Sequence, residues 1–145
     1  DGETATNGYE QLDAFMAQSG EGIALLLDAG HLHFARGNVL RAIDNHHARI
    51  AHVHTKDIRQ SVLDALDWSK DSFLDAVIKG AFTVPGDGSL DFAAIVKRLA
   101  DHGYEGWFVV EAEQDPKANP PLKMAQVGHK ELMRVMAAAG YEVVA

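Results

Sequence analysis

Apolar residues along the chain switch between helical spacing and short unbroken runs, and the switching predicts the order of elements. Leu12, Phe15 and Met16 share one helical face and Gly20 follows, so a helix is predicted from about Tyr9 to Ser19. Ile23 to Leu27 is a continuous apolar run closed by Asp28, the pattern of a parallel strand buried on both faces. Asn38 can cap a helix through His47, and Ile50 to Val53 supplies a second short strand interrupted by His52. Val62, Leu63 and Leu66 then suggest one short helix, and Phe73, Leu74, Val77 and Ile78 another that stops at Gly80. Pro85-Gly86-Asp87-Gly88 is a turn cluster, after which Ser89 is expected to cap a helix with Phe92, Ile95, Val96 and Leu99 on one face. Trp107 to Val110 reads as a third strand ending in Glu111. A last helix runs from about Pro121 to Ala139, with Leu122, Ala125, Leu132 and Met136 inward and Gly140 closing it.

Strands alternating with helices define the α/β class. Three of them do not close a (β/α)8 barrel, which needs eight strands and roughly 250 residues. The chain is expected to form a single domain over residues 1–145, either an open sheet or a partial barrel. A partial barrel leaves one sheet edge without its pairing partner, a hazard that association with another chain, a homo-oligomer included, would cover.

Composition narrows the partners. Apolar residues make up 47% of the 145, enough for a real core. The 21 acidic against 13 basic residues, a net charge of −8, disfavour a nucleic-acid surface and an anionic membrane. Cysteine is absent, so no disulfide implies secretion and any metal must sit on His, Asp and Glu. No apolar run reaches the roughly 18 residues of a membrane span and no leader pattern opens the chain, so a cytoplasmic protein is expected.

The chemistry concentrates at strand ends. Asp28, His54 and Glu111 each close a predicted strand, and in βα folds the functional groups converge there. Two carboxylates and an imidazole suit Mn, Mg, Co, Fe or Zn with positions left open for substrate oxygens. Acidic residues at strand ends also cap the following helix, so spacing alone leaves both readings open. His31 lies three residues past Asp28, where a loop can aim it at substrate. His33 and His52 also flank the mouth, His52 being read as structural on the supposition that strand alternation separates it from His54. Lys56 and Arg59 are the nearest cations after His54 and candidates to hold a substrate oxygen. The Pro85–Gly88 turn lacks the ending of a P-loop, and Asp87 is read as setting the turn. Glu113, in a mixed-charge loop, is read as at most a supporting group.

At these residues the sequence resembles the xylose-isomerase-like TIM-barrel superfamily: Leu-Leu-Leu-Asp-Ala-Gly-His (25–31), His-Val-His-Thr-Lys-Asp (52–57) and Val-Val-Glu (109–111). More narrowly, Phe-Thr-Val-Pro-Gly-Asp-Gly-Ser-Leu-Asp-Phe (82–92) and Gly-Trp-Phe-Val-Val-Glu-Ala-Glu-Gln-Asp-Pro (106–116) are similar to its inosose dehydratase branch. The resemblance implies the C-terminal part of a (β/α)8 barrel and a divalent metal, Mn or Co first, on Asp28, His54 and Glu111. It also implies a substrate-contacting His31 and a metal-dependent lyase of inositol catabolism acting on a polyol ketone. A ketose isomerase or epimerase on the same scaffold, or an inactive partial barrel, are the alternatives. A DNA-repair branch of the superfamily would call for a basic groove, which the net charge of −8 opposes. The earlier barrel strands and the first carboxylate ligand are absent, and Glu3 is too early and isolated to replace it.

Overall fold

The computed structural model describes residues 8–144, so Glu3 lies outside the described residues. Helix α1 (Gly8–Gln18) precedes strand β1 (Leu25–Asp28), which leads through the short α2 (Ala29–Phe34) into α3 (Val39–His46) and β2 (Ile50–His54). β1 lies parallel to β2, and β2 parallel to β5 (Phe108–Val109). Leu27 faces Val53 and Asp28 faces His54 in this register, so the two polar residues stand side by side where the strands end.

Only one face of β1 is covered. Leu27 and Val53 point into a core built with Ile43 of α3, Ile95, Val96 and Leu99 of α6 (Phe92–Asp101), and Leu132 and Val135 of α7 (Pro121–Ala139). Leu26, on the opposite face, is 48% exposed, and Trp107 beside β5 is 74% exposed. The expectation of burial on both faces is thus corrected: the run Ile23–Leu27 is apolar throughout, but among the described residues nothing covers the inner side. Ile23 and Ala24 also precede the strand rather than open it.

A second unit follows β2. Strands β3 (Asp57–Ile58) and β4 (Phe82–Thr83) pair antiparallel, and the excursion between them carries α4 (Gln60–Asp64) and α5 (Phe73–Ile78). Ile58, Leu63, Leu66, Ala76, Ala81 and Phe82 close a separate apolar cluster beneath it. A capping box between Ser72 and Asp75 starts α5.

The turn after β4 is wound around one carboxylate. Asp57 Oδ1 accepts hydrogen bonds from the backbone N–H groups of Ile58 (2.7 Å), Ser89 (3.1 Å) and Leu90 (2.9 Å). A Cβ at Gly88 would lie 2.3 Å from the Asp57 carboxyl carbon, so only glycine lets the turn close. Burial raises the Asp57 carboxyl above its usual range, against the opposing pull of these N–H donors. Ser89 is therefore occupied here, and Asp91 caps α6 instead, its Oδ1 accepting from Ala94 N–H at 3.0 Å.

Helix α7 starts with Pro121 at its first turn and ends on Gly140 in the left-handed region, as the sequence predicts. Its inward stripe is Met124, Gly128, Leu132, Val135 and Met136, and Leu122 and Ala125 face solvent, contrary to expectation. A Cβ at Gly128 would meet Val110 and Val84, which marks the face pressed on the sheet end. No helix among the described residues is long and apolar enough to cross a membrane.

Candidate metal centre

Asp28 ends β1, His54 ends β2 and Glu111 follows β5 by two residues; their ligand atoms all lie within 4.8 Å of one another. The capping reading of an acidic strand end holds at Asp28, and its second oxygen stays available to the candidate metal site. Its Oδ1 accepts the His31 backbone N–H at 2.8 Å and caps α2, while Oδ2 turns toward His54 Nδ1 at 3.7 Å.

The geometry fits a cation. Glu111 Oε2 is shielded from solvent and has no hydrogen-bond partner, although His54 Nδ1 is 2.6 Å away; the alignment is not that of a hydrogen bond. A buried carboxylate oxygen left in this state is costly unless a metal or water completes it. Charge points the same way. Asp28, Glu111 and Glu113 converge on one ammonium, that of Lys56, at 3.4, 3.4 and 3.5 Å. With neutral imidazoles, two negative charges remain, the complement of a divalent ion.

Lys56 is wholly buried, its stem passing under α2. Gly30 makes this possible: a Cβ there would stand 2.7 Å from Lys56 Cγ. The Asp-Ala-Gly-His pattern thus supplies, in order, a candidate ligand, a close-packing alanine, a gap for the lysine and the histidine of the mouth.

His31 joins the ligands to the rest of the mouth. Its Nδ1 lies 3.2 Å from Asp28 Oδ2, while Nε2 lies 3.2 Å from Glu113 Oε2 and 3.1 Å from Lys56 Nζ. Nε2 must carry a hydrogen to satisfy Glu113 and offer a lone pair to satisfy Lys56, so it can meet only one of them at a time. Phe73 and Phe82 flank the same imidazole at ring separations of 5.9 and 5.4 Å.

The remaining expected residues fall elsewhere. Arg59 has its guanidinium on Asp87, on the Gly80 carbonyl and on Asn119. His33 bonds Gln60 at 2.7 Å. His52 lies on the same face as His54, their rings 5.3 Å apart, and not on the opposite face as expected, because residues two apart on a strand share a face. Glu113 is more central than its exposed-loop sequence suggested, and only its spacing of two from Glu111 signals it.

A family model described as a xylose isomerase-like TIM barrel matches residues 3–138. The chain belongs to the xylose isomerase-like TIM barrel family. Among its relatives, the rhizopine catabolism protein MocC of Rhizobium meliloti is 48% identical over 134 residues, 92% of this chain and 41% of that protein. An inosose dehydratase of Salmonella typhimurium is 47% identical over 110 residues, 76% of this chain and 36% of that enzyme. One of Bacillus licheniformis is 40% identical over 132 residues, 90% of this chain and 44% of that enzyme. The chain spans about two fifths of the length of the curated relatives it matches.

Proposed function

We propose that the protein is a cytoplasmic inosose dehydratase, a lyase that removes water from 2-keto-myo-inositol to give a trihydroxycyclohexane-dione, and that this chain supplies the C-terminal part of its barrel. The observation that carries the reading is the convergence of Asp28, His54 and Glu111 beside His31, in a chain 40–47% identical to inosose dehydratases. The uncovered inner face bearing Leu26 is where the remaining barrel strands would close.

A divalent ion, manganese or cobalt, held by Asp28, His54 and Glu111 would supply Lewis acidity to the ketone and so stabilise negative charge as the adjacent carbon gives up its proton. The chain's own residues do the rest. Lys56, fixed and buried, directs one more positive charge at the developing oxyanion. His31 Nε2 and Glu113 Oε2 lie 3.2 Å apart at the mouth, within reach for one to accept the carbon-bound proton and the other to deliver a proton to the departing β-hydroxyl. The carbon–hydrogen and carbon–oxygen bonds break, a carbon–carbon double bond forms, and one water leaves.

The 48% identity to a rhizopine catabolism protein favours a second reading, the same elimination on a rhizopine-derived ketone. Turnover of both ketone classes by the metal-stripped protein, with and without added Mn or Co, decides between them through the ultraviolet absorbance of the dione. Metal-dependent dione from inosose supports the first reading. Isomerised or epimerised sugar without loss of water would overturn both.

A further inference from the structure

Glu111 hangs on a segment whose backbone has little fastening of its own, although the Glu111 and Glu113 carboxylates reach Lys56. The ladder with β2 ends where Thr55 N–H donates to the Val109 carbonyl at 2.8 Å, and regular structure resumes only at α7. Local bonds, such as Asn119 N–H to the Asp115 carbonyl at 2.9 Å, shape the segment without anchoring it. A ligand needs its position fixed from outside.

The hairpin of β3 and β4 provides that fixing through one carboxylate. Asp87 Oδ2 accepts from the buried Thr83 hydroxyl at 2.6 Å and from Arg59 Nε at 3.1 Å. Thr83 Oγ1 in turn accepts from Gln114 Nε2 at 3.2 Å, and Arg59 Nη2 donates to Asn119 Oδ1, also at 3.2 Å. Two arms therefore leave Asp87, one through Thr83 and one through Arg59, and both grip the segment that follows Glu111. We infer that Asp87 is the positioning residue of the metal centre, orienting Thr83 and Arg59 so that Gln114 and Asn119 hold Glu111 in place. Arg59 acts within this clamp and not as a substrate contact.

The inference rests on Glu111 being a metal ligand, so its test reads metal affinity and needs no turnover. Mn binding is titrated calorimetrically on the metal-stripped intact protein, alongside thermal unfolding, for Asp87→Asn, Gln114→Ala, the double variant, Ser72→Ala and Glu111→Gln. Asp87→Asn should weaken Mn binding about tenfold, the lower end for outer partners of a ligand. Gln114→Ala should weaken it several-fold, and the double variant no more than Asp87→Asn alone, because both lie on one chain of bonds. Ser72→Ala, which removes a cap of α5 outside the clamp, should lower the melting temperature and leave Mn affinity unchanged. Unchanged affinity in Asp87→Asn, or effects that multiply in the double variant, would overturn the clamp. Unchanged affinity in Glu111→Gln would instead overturn the ligand assignment.

Discussion

Asp28 caps a helix with one oxygen and, in the proposed function, would hold a metal with the other, and two substitutions separate the tasks. Asparagine keeps a carbonyl oxygen for the His31 N–H, now 2.8 Å from Oδ1, and asparagine and aspartate are near-equal caps. Alanine removes the cap. Helix α2 is only six residues long and cannot spread that loss, so Asp28→Ala should cost about 1 kcal/mol, within the 0.5–2 range for caps. Asp28→Asn should stay within about 0.5 kcal/mol of the parent in metal-free buffer. It also removes one of three carboxylates gathered around Lys56, which offsets the lost ion pair at 3.4 Å. Both variants lose a charged ligand and should bind Mn at least about tenfold more weakly. Urea unfolding gives the first quantity and calorimetric titration the second. Equal destabilisation by the two variants, or undiminished Mn binding by Asp28→Asn, would refute the division of labour.

Three further outcomes follow from the packing and charge of the site. Gly30→Ala drives a methyl group to 2.7 Å from Lys56 Cγ and should cost about 1–3 kcal/mol in thermal unfolding; a neutral result would mean that the lysine stem is free to move. Lys56→Met strips the ammonium from three partly solvated carboxylates and should lower metal-free stability by about 2 kcal/mol, less once Mn is added, as urea unfolding with and without metal would record. Asp57 binds its proton more tightly folded than unfolded, so stability should fall as pH rises from about 3.9, the unfolded value, through its raised folded value, and be level above it. Asp57→Asn should remove that fall, and a parent–variant difference that is constant with pH would contradict the burial argument.

Much of the frame is legible because it is local. Caps at Asn38 and Gly140, the proline at the start of α7 and the spacing of Phe92, Ile95, Val96 and Leu99 all act within a turn or two. The convergence of Asp28, His54 and Glu111 is legible for a related reason: each sits where an apolar run stops. What escaped depends on distant partners. Ser89 and Asp91 are both competent caps, and the buried Asp57, more than thirty residues away, decides between them by taking the Ser89 N–H. The two-residue strands β3 and β4 are too short to show a period and exist because they pair with each other. The stripe of α7 was misjudged at Leu122 and Ala125 because several stripes satisfy helical spacing, and contact with Val84 and Val110 selects the one through Gly128. Glu113, Gln114 and Asn119 lie in a polar loop with no period, and only the hairpin opposite gives them roles.

The proposed function places one ion between three side chains, and the direct measurement is a crystal of the intact protein soaked in Mn, with anomalous scattering recorded at the manganese edge. One anomalous peak within about 2.0–2.6 Å of an oxygen of Asp28, a ring nitrogen of His54 and an oxygen of Glu111 is the predicted result. A saturated crystal without a peak there, or with Mn held elsewhere while His54 and Glu111 hydrogen-bond each other, would contradict it.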